Sequence, residues 1–119
     1  MITMNLTFTP QTAEINCREW NLTDGEKIVV FEPTASEYAL FEHLTAKLHL
    51  ASVSDTERRE VYAKLGVLFL KKENGQRLFT DDQLSLLLRA SSKPLRRLAI
   101  KMAELAKLDE DEAAELEKN

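Results

Sequence analysis

A chain of 119 residues, with 16 Lys and Arg against 20 Asp and Glu and a net charge of -4, has the size of a single domain. Its 44% hydrophobic and 30% charged residues are those of a globular protein, which excludes a wholly disordered or collagen-like chain. By mass scaling such a chain buries about two-thirds of its surface, so a core can form without disulfide staples. Cys17 is the one cysteine, expected as a reduced, buried thiol. No apolar run approaches the roughly 18 residues of a membrane span. Met1 to Phe8 has neither the basic start nor the continuous apolar stretch of a secretory signal, so the expected location is the cytoplasm.

The first predicted element is a strand from Ile2 to Phe8, where Ile2, Met4, Leu6 and Phe8 alternate with polar residues until Pro10 stops it. A second strand, Ala13 to Trp20, sets Ile15 and Cys17 on one face and Glu14, Arg18 and Trp20 on the other, and leads into a turn at Asp24-Gly25. The third, Lys27 to Glu32, is apolar on both faces through Ile28-Val29-Val30-Phe31. A strand of that kind needs cover on both sides. Helices can supply one side, which leaves the other for a partner or a second copy of the chain.

From Pro33 the pattern turns helical. Thr34 with Glu37, Ser54 with Glu57, Thr80 with Gln83 and Asp109 with Glu112 each pair a side-chain acceptor with Glu or Gln three residues on, the signature of a capped helix start. Ser91-Ser92-Lys93-Pro94 marks a fifth, because a proline in a first turn gives up an amide that has no intrahelical partner. Helical spacing gives the inner faces. The first helix, 35–50, presents Leu40, Phe41, Leu44 and Leu48; the second, 55–72, presents Val61, Leu65, Leu68 and Phe69. Near its end the second helix is apolar almost all round, which predicts a central position, and Asn74-Gly75 is expected to end it. The third, 81–90, contributes Leu84, Leu87 and Leu88; the fourth, 93–108, contributes Leu95, Leu98, Met102 and Leu105. The expected fold is α+β, mainly α. Within one domain of residues 1–119 it comprises a small N-terminal antiparallel sheet of two to three strands (1–33), a bundle of four to five helices (34–108) and an acidic C-terminal helix or tail (109–119).

Charge is unevenly spread. Residues 1–53 carry 3 basic and 7 acidic side chains, 54–108 carry 12 and 7, and 109–119 carry 1 and 6, for sums of -4, +5 and -5. The positive middle is concentrated in Arg89, Lys93, Arg96, Arg97 and Lys101. Three readings fit this block. It can be a helix-turn-helix-like nucleic-acid patch, a solvated helix face, or a docking surface for the acidic tail of the same or a neighbouring copy. The overall acidity of the chain and the Lys-Pro start of the fourth helix disfavour nucleic acid. Catalytic patterns are absent: there is no Gly-rich phosphate loop, and His43 and His49 stand six residues apart, on different helix faces. A non-enzyme without metal or cofactor is expected.

One set of motifs points to a family. The chain passes from Phe31-Glu32-Pro33-Thr34 through amphipathic helices to Gly75-Gln76-Arg77-Leu78-Phe79-Thr80-Asp81-Asp82-Gln83-Leu84. Leu95-Arg96-Arg97-Leu98, Ala106-Lys107-Leu108 and Glu115-Leu116-Glu117-Lys118-Asn119 follow. Over residues 26 to 119 this order resembles the tail assembly chaperones of long-tailed bacteriophages; the strand Ile2 to Phe8 has no counterpart there. The resemblance implies a helical protein of the host cytoplasm, made during phage assembly and absent from the mature virion. It also implies that the clients are the helical tape measure protein and the tail tube protein, and that a programmed frameshift extends some copies.

A helical client exposes apolar stripes that aggregate unless covered, and a groove rimmed by charge covers them. The candidate contacts are Trp20, Tyr38, Tyr62 and Ile100, with Arg89, Lys93, Arg96, Arg97 and Lys101 as the charged surroundings. Several copies are expected to assemble on one client. The alternative is a small DNA-binding regulator that uses segment 80–108, and a third reading is a structural tail subunit such as a joining protein.

Overall fold

The computed structural model describes residues 9–15 and 27–107. The first predicted strand, the turn at Asp24-Gly25, Cys17, Trp20 and the helix start at Asp109 lie outside these residues. Strands β1 (Thr12–Glu14) and β2 (Ile28–Phe31) pair antiparallel, with Thr12 opposite Phe31 and Glu14 opposite Val29. A third strand, β3 (Lys71–Lys72), closes the sheet on the other edge of β2, with Val29 opposite Lys71. Among the described residues four α-helices follow the first two strands: α1 (Ala35–Ala46), α2 (Asp55–Phe69), α3 (Leu84–Arg89) and α4 (Ser92–Ala106). The architecture is the expected α+β, mainly α, arrangement.

Helix starts form where the caps predict. Thr34 and Glu37 make a reciprocal box, in which the Thr34 hydroxyl accepts from the Glu37 amide at 3.2 Å and the Glu37 carboxylate accepts from the Thr34 amide at 3.0 Å. Ser54 accepts from the Glu57 amide at 3.1 Å, and Gln83 Oε1 accepts from the Thr80 amide at 2.8 Å, which starts a 3-10 turn, Asp81–Gln83, that leads into α3. Of the two serines at this start, Ser91 is the cap and Ser92 the first residue of α4, and Pro94 is buried in the first turn. These bonds satisfy amides that a helix leaves open.

The end of α2 departs from the expected course. The helix stops at Phe69, and Leu70 and the residues after it are extended. Asn74-Gly75 does not terminate a helix; it forms the turn of a short hairpin, with Gly75 at φ +90°, where glycine has no steric penalty. The Lys72 amide donates to the Gln76 carbonyl at 2.8 Å, and the Leu78 amide to the Leu70 carbonyl at 2.9 Å. Arg77 Nε donates to the Val67 carbonyl at 2.9 Å, filling an acceptor that the last turn leaves open. The edge of β2 recruits Lys71 and Lys72, a pairing between residues about forty positions apart that no local pattern announces.

The core joins sheet and helices. Leu65, Leu70, Leu98 and Val30 are fully buried, and Met102 and Leu87 nearly so, together with Ile28, Val61 and Leu95. The apolar end of α2 is central, as its pattern requires. Gly66 lets three elements meet: a Cβ there would lie 2.6 Å from Leu95 Cδ2 and 2.9 Å from Leu87 Cδ1. Phe41 of α1 meets Phe69 of α2 edge-on, ring centroids 6.4 Å apart. Two leucines predicted for inner faces, Leu40 and Leu88, are exposed instead. Both belong to apolar runs, in which only the packing partner selects the buried face. The second face of β2 also differs from expectation, because Val29 is buried within the single chain and offers no open surface.

Candidate interaction surface

The predicted contact residues separate into two places. Tyr62, Lys93, Arg96, Arg97 and Ile100 line one groove of about 550 Å³ between α2 and α4, together with Ala99. Tyr38 lines another, of about 390 Å³, beside Glu32, Pro33, Glu104 and Lys107. Arg89 and Lys101 belong to neither lining. Trp20 lies outside the described residues.

The α2–α4 groove follows from how the two helices pack. Gly66 sits against Leu95, and moving back along α2 to Tyr62 while moving forward along α4 brings Ala99 and Ile100 alongside, so the helices run in opposite senses. Leu95, Leu98 and Met102 turn into the core. The adjoining stripe of α4, at Lys93, Arg96 and Ile100, is left at the surface. Ile100 is 58% exposed, the most exposed large apolar side chain among the described residues, and Tyr62 beside it is half-buried. The result is an apolar strip edged by cations. Lys101 is partly occupied, its ammonium lying 3.3 Å from the Glu104 carboxylate. Arg89 ends α3, where a cation is favoured by the carbonyls of the last turn.

The second groove is less basic and better fixed. Tyr38 stacks on Phe41 with centroids 6.0 Å apart at 26°. Close by, Glu37 is 3.4 Å from the Lys71 ammonium, which also lies 5.5 Å from the centre of the Phe31 ring. Partial burial raises the Glu37 carboxyl, but the Thr34 amide, the Lys71 charge and the Thr34 hydroxyl outweigh it and hold the group below the usual glutamate range. The Thr80 hydroxyl donates to Asp82 and, with a backbone amide, holds that carboxyl low at the start of the turn preceding α3. Among the described residues no polar or charged side chain is buried, and no three His, Cys, Asp or Glu side chains converge as metal ligands. No described helix is long and apolar enough to cross a membrane.

Sequence reasoning missed Ala99, which also lines the groove. It also missed the exposed Leu86, since three consecutive leucines at 86–88 carry no signal for which one faces inward. No family model matches the sequence, and no curated protein does. The fold is similar to that of the tail assembly chaperone of bacteriophage HK97, with a TM-score of 0.55 and 16% identity, covering 82% of this chain and 87% of that one. At this identity the likeness is one of fold.

Proposed function

We propose that the chain is a non-catalytic phage tail assembly chaperone that binds the helical tape measure protein and helps recruit tail tube subunits. It would act in the host cytoplasm, remain outside the mature virion and assemble in several copies on one client. The observation that carries this reading is the fold likeness over most of both chains. The sequence motifs from Phe31 to Asn119 support it independently. The groove supplies a suitable chemistry: Tyr62, Ala99 and Ile100 offer apolar contact to one face of an amphipathic helix, and Lys93, Arg96 and Arg97 meet acidic residues flanking it.

The test is capture of the tape measure protein by this chain from cells expressing both, at low and high salt, with tape measure solubility scored in parallel. Retention at high salt and a client that stays soluble only with the chaperone support the reading, because apolar contact persists under screening. A tape measure protein that stays soluble alone and is not retained refutes it. Recovery of the chain in purified virions would make it a structural tail subunit.

One feature favours the DNA-binding alternative, the two-residue joint Ala90-Ser91 between α3 and α4 with Arg89, Lys93 and Arg96 around it. Binding of duplex DNA that weakens by decades over a few-fold rise in salt would favour it.

A further inference from the structure

The outer face of α4 is ordered by charge. Lys93, Arg96 and Ile100 are spaced by three and then four, so they form one stripe along the helix, and all three are exposed. Arg96 stands about 6 Å and Lys93 about 10 Å from Ile100 along the axis, both toward the start of the helix. On the other side of Ile100, four residues on, stands Glu104, also exposed. The stripe therefore runs cation, cation, apolar side chain, anion.

The two cations are uncommitted. Lys71, Arg77 and Lys101 each lie within 3.4 Å of a carboxylate, whereas among the described residues Lys93 and Arg96 make no ion pair. The open amides at the start of α4 add partial positive charge at the same end. What binds there is anionic, and what binds Ile100 and the half-buried Tyr62 beside it is apolar.

We infer that the groove selects its helical partner by register. The occupant carries two carboxylates and an apolar side chain in the order Glu-x-x-Glu-x-x-x-Leu and lies parallel to α4, its glutamates against Lys93 and Arg96 and its leucine against Ile100 and Tyr62. The parallel sense follows from the partner's own stability, because it sets both acids at the start of the partner helix, where open amides favour them. An acid beyond the leucine would meet Glu104 and be repelled. The inference rests on the helix-binding role proposed above, and adds which helices enter the groove and in which direction.

The experiment titrates the full chain into three fluorescent peptides of about 16 residues and identical composition, each held helical by a side-chain lactam, with anisotropy as the readout. The first carries the pattern, the second reverses its order, and the third has its glutamates on the opposite helix face. The first should bind about 5-fold more tightly than either of the others at low salt, the yield of two exposed ion pairs. That preference should vanish in about 1 M salt while part of the binding persists. Arg96→Glu should weaken the first peptide, and a lysine in place of its second glutamate should restore it; Lys93→Glu should be restored by a lysine in place of the first. Both replaced side chains are exposed, so the fold is spared. Equal affinity for the three peptides, restoration by a lysine at either position, or no binding at all overturns the inference. Failure here with capture of the tape measure protein intact removes the register and leaves the chaperone reading, and register-specific binding without that capture does the reverse.

Discussion

Replacing Gly66 by alanine sets two effects of known size against each other. In a helix interior alanine is favoured over glycine by about 1 kcal/mol, and Gly66 lies inside α2, so local propensity alone predicts a more stable protein. Packing predicts the reverse. The added methyl would sit 2.6 Å from Leu95 Cδ2 and 2.9 Å from Leu87 Cδ1, where ordinary contact begins near 3.4 Å. Leu95 and Leu87 are 3% and 2% exposed, so neither side chain can swing into solvent. Overpacking of this kind costs about 1–3 kcal/mol, which leaves a net loss of about 1 kcal/mol. For a chain of this length that is a fall in Tm of roughly 4 °C.

Urea and thermal unfolding followed by circular dichroism measure it, with an unchanged m-value as the check that the unfolded state is not responsible. The decisive comparison is the same substitution on a Leu95→Val background, which withdraws the nearest methyl. There Gly66→Ala should become neutral or stabilising, a coupling of about 1 kcal/mol. A cost identical in both backgrounds, or a gain of the full helix propensity in the native one, would refute the packing argument.

Three further outcomes are expected. Glu37→Gln should lower stability at neutral pH by about 0.5–1 kcal/mol, since the ion pair to Lys71 is lost while an oxygen acceptor for the Thr34 amide remains. Because the Glu37 carboxyl is held low in the folded state, its contribution is present above the unfolded value of about 4.3 and lost as pH falls through the folded one. The gap between native and variant chains should therefore close on acidification, and a pH-independent gap would contradict the pairing. Leu98→Ala should cost about 3 kcal/mol by chemical denaturation and Leu86→Ala less than about 0.5, because the first side chain is fully buried and the second exposed. Ile100→Glu should leave the unfolding midpoint nearly unchanged, yet reduce capture of a helical client at high salt; undiminished capture would move the contact elsewhere.

The neighbouring leucines 86, 87 and 88 show where reading a sequence stops. Their run announces a buried helix, but only Leu87 reaches the core, because α3 is short and its inward side is chosen by α2 through Gly66. Leu40, in the apolar run Tyr38 to Phe41, faces out because α1 turns Phe41 and Leu44 inward. Capped starts were legible before any fold was known. Thr34 with Glu37 and Ser54 with Glu57 act within one turn, and the bond that fixes each start joins residues three apart.

Strand β3 was not legible. Its two lysines enter the sheet only because β2 offers an unpaired edge where the chain leaves α2. The candidate groove divides along the same line. Sequence alone determined which residues carry its apolar bulk and charge, since Tyr62, Ile100 and the cations stand off the main hydrophobic stripes. Tertiary packing decided that five of the nine candidates share one surface and that Tyr38 lies on another. Caps and periodicities arise from contacts within a turn, whereas a groove between two helices exists only once side chains some 30 to 40 residues apart have met.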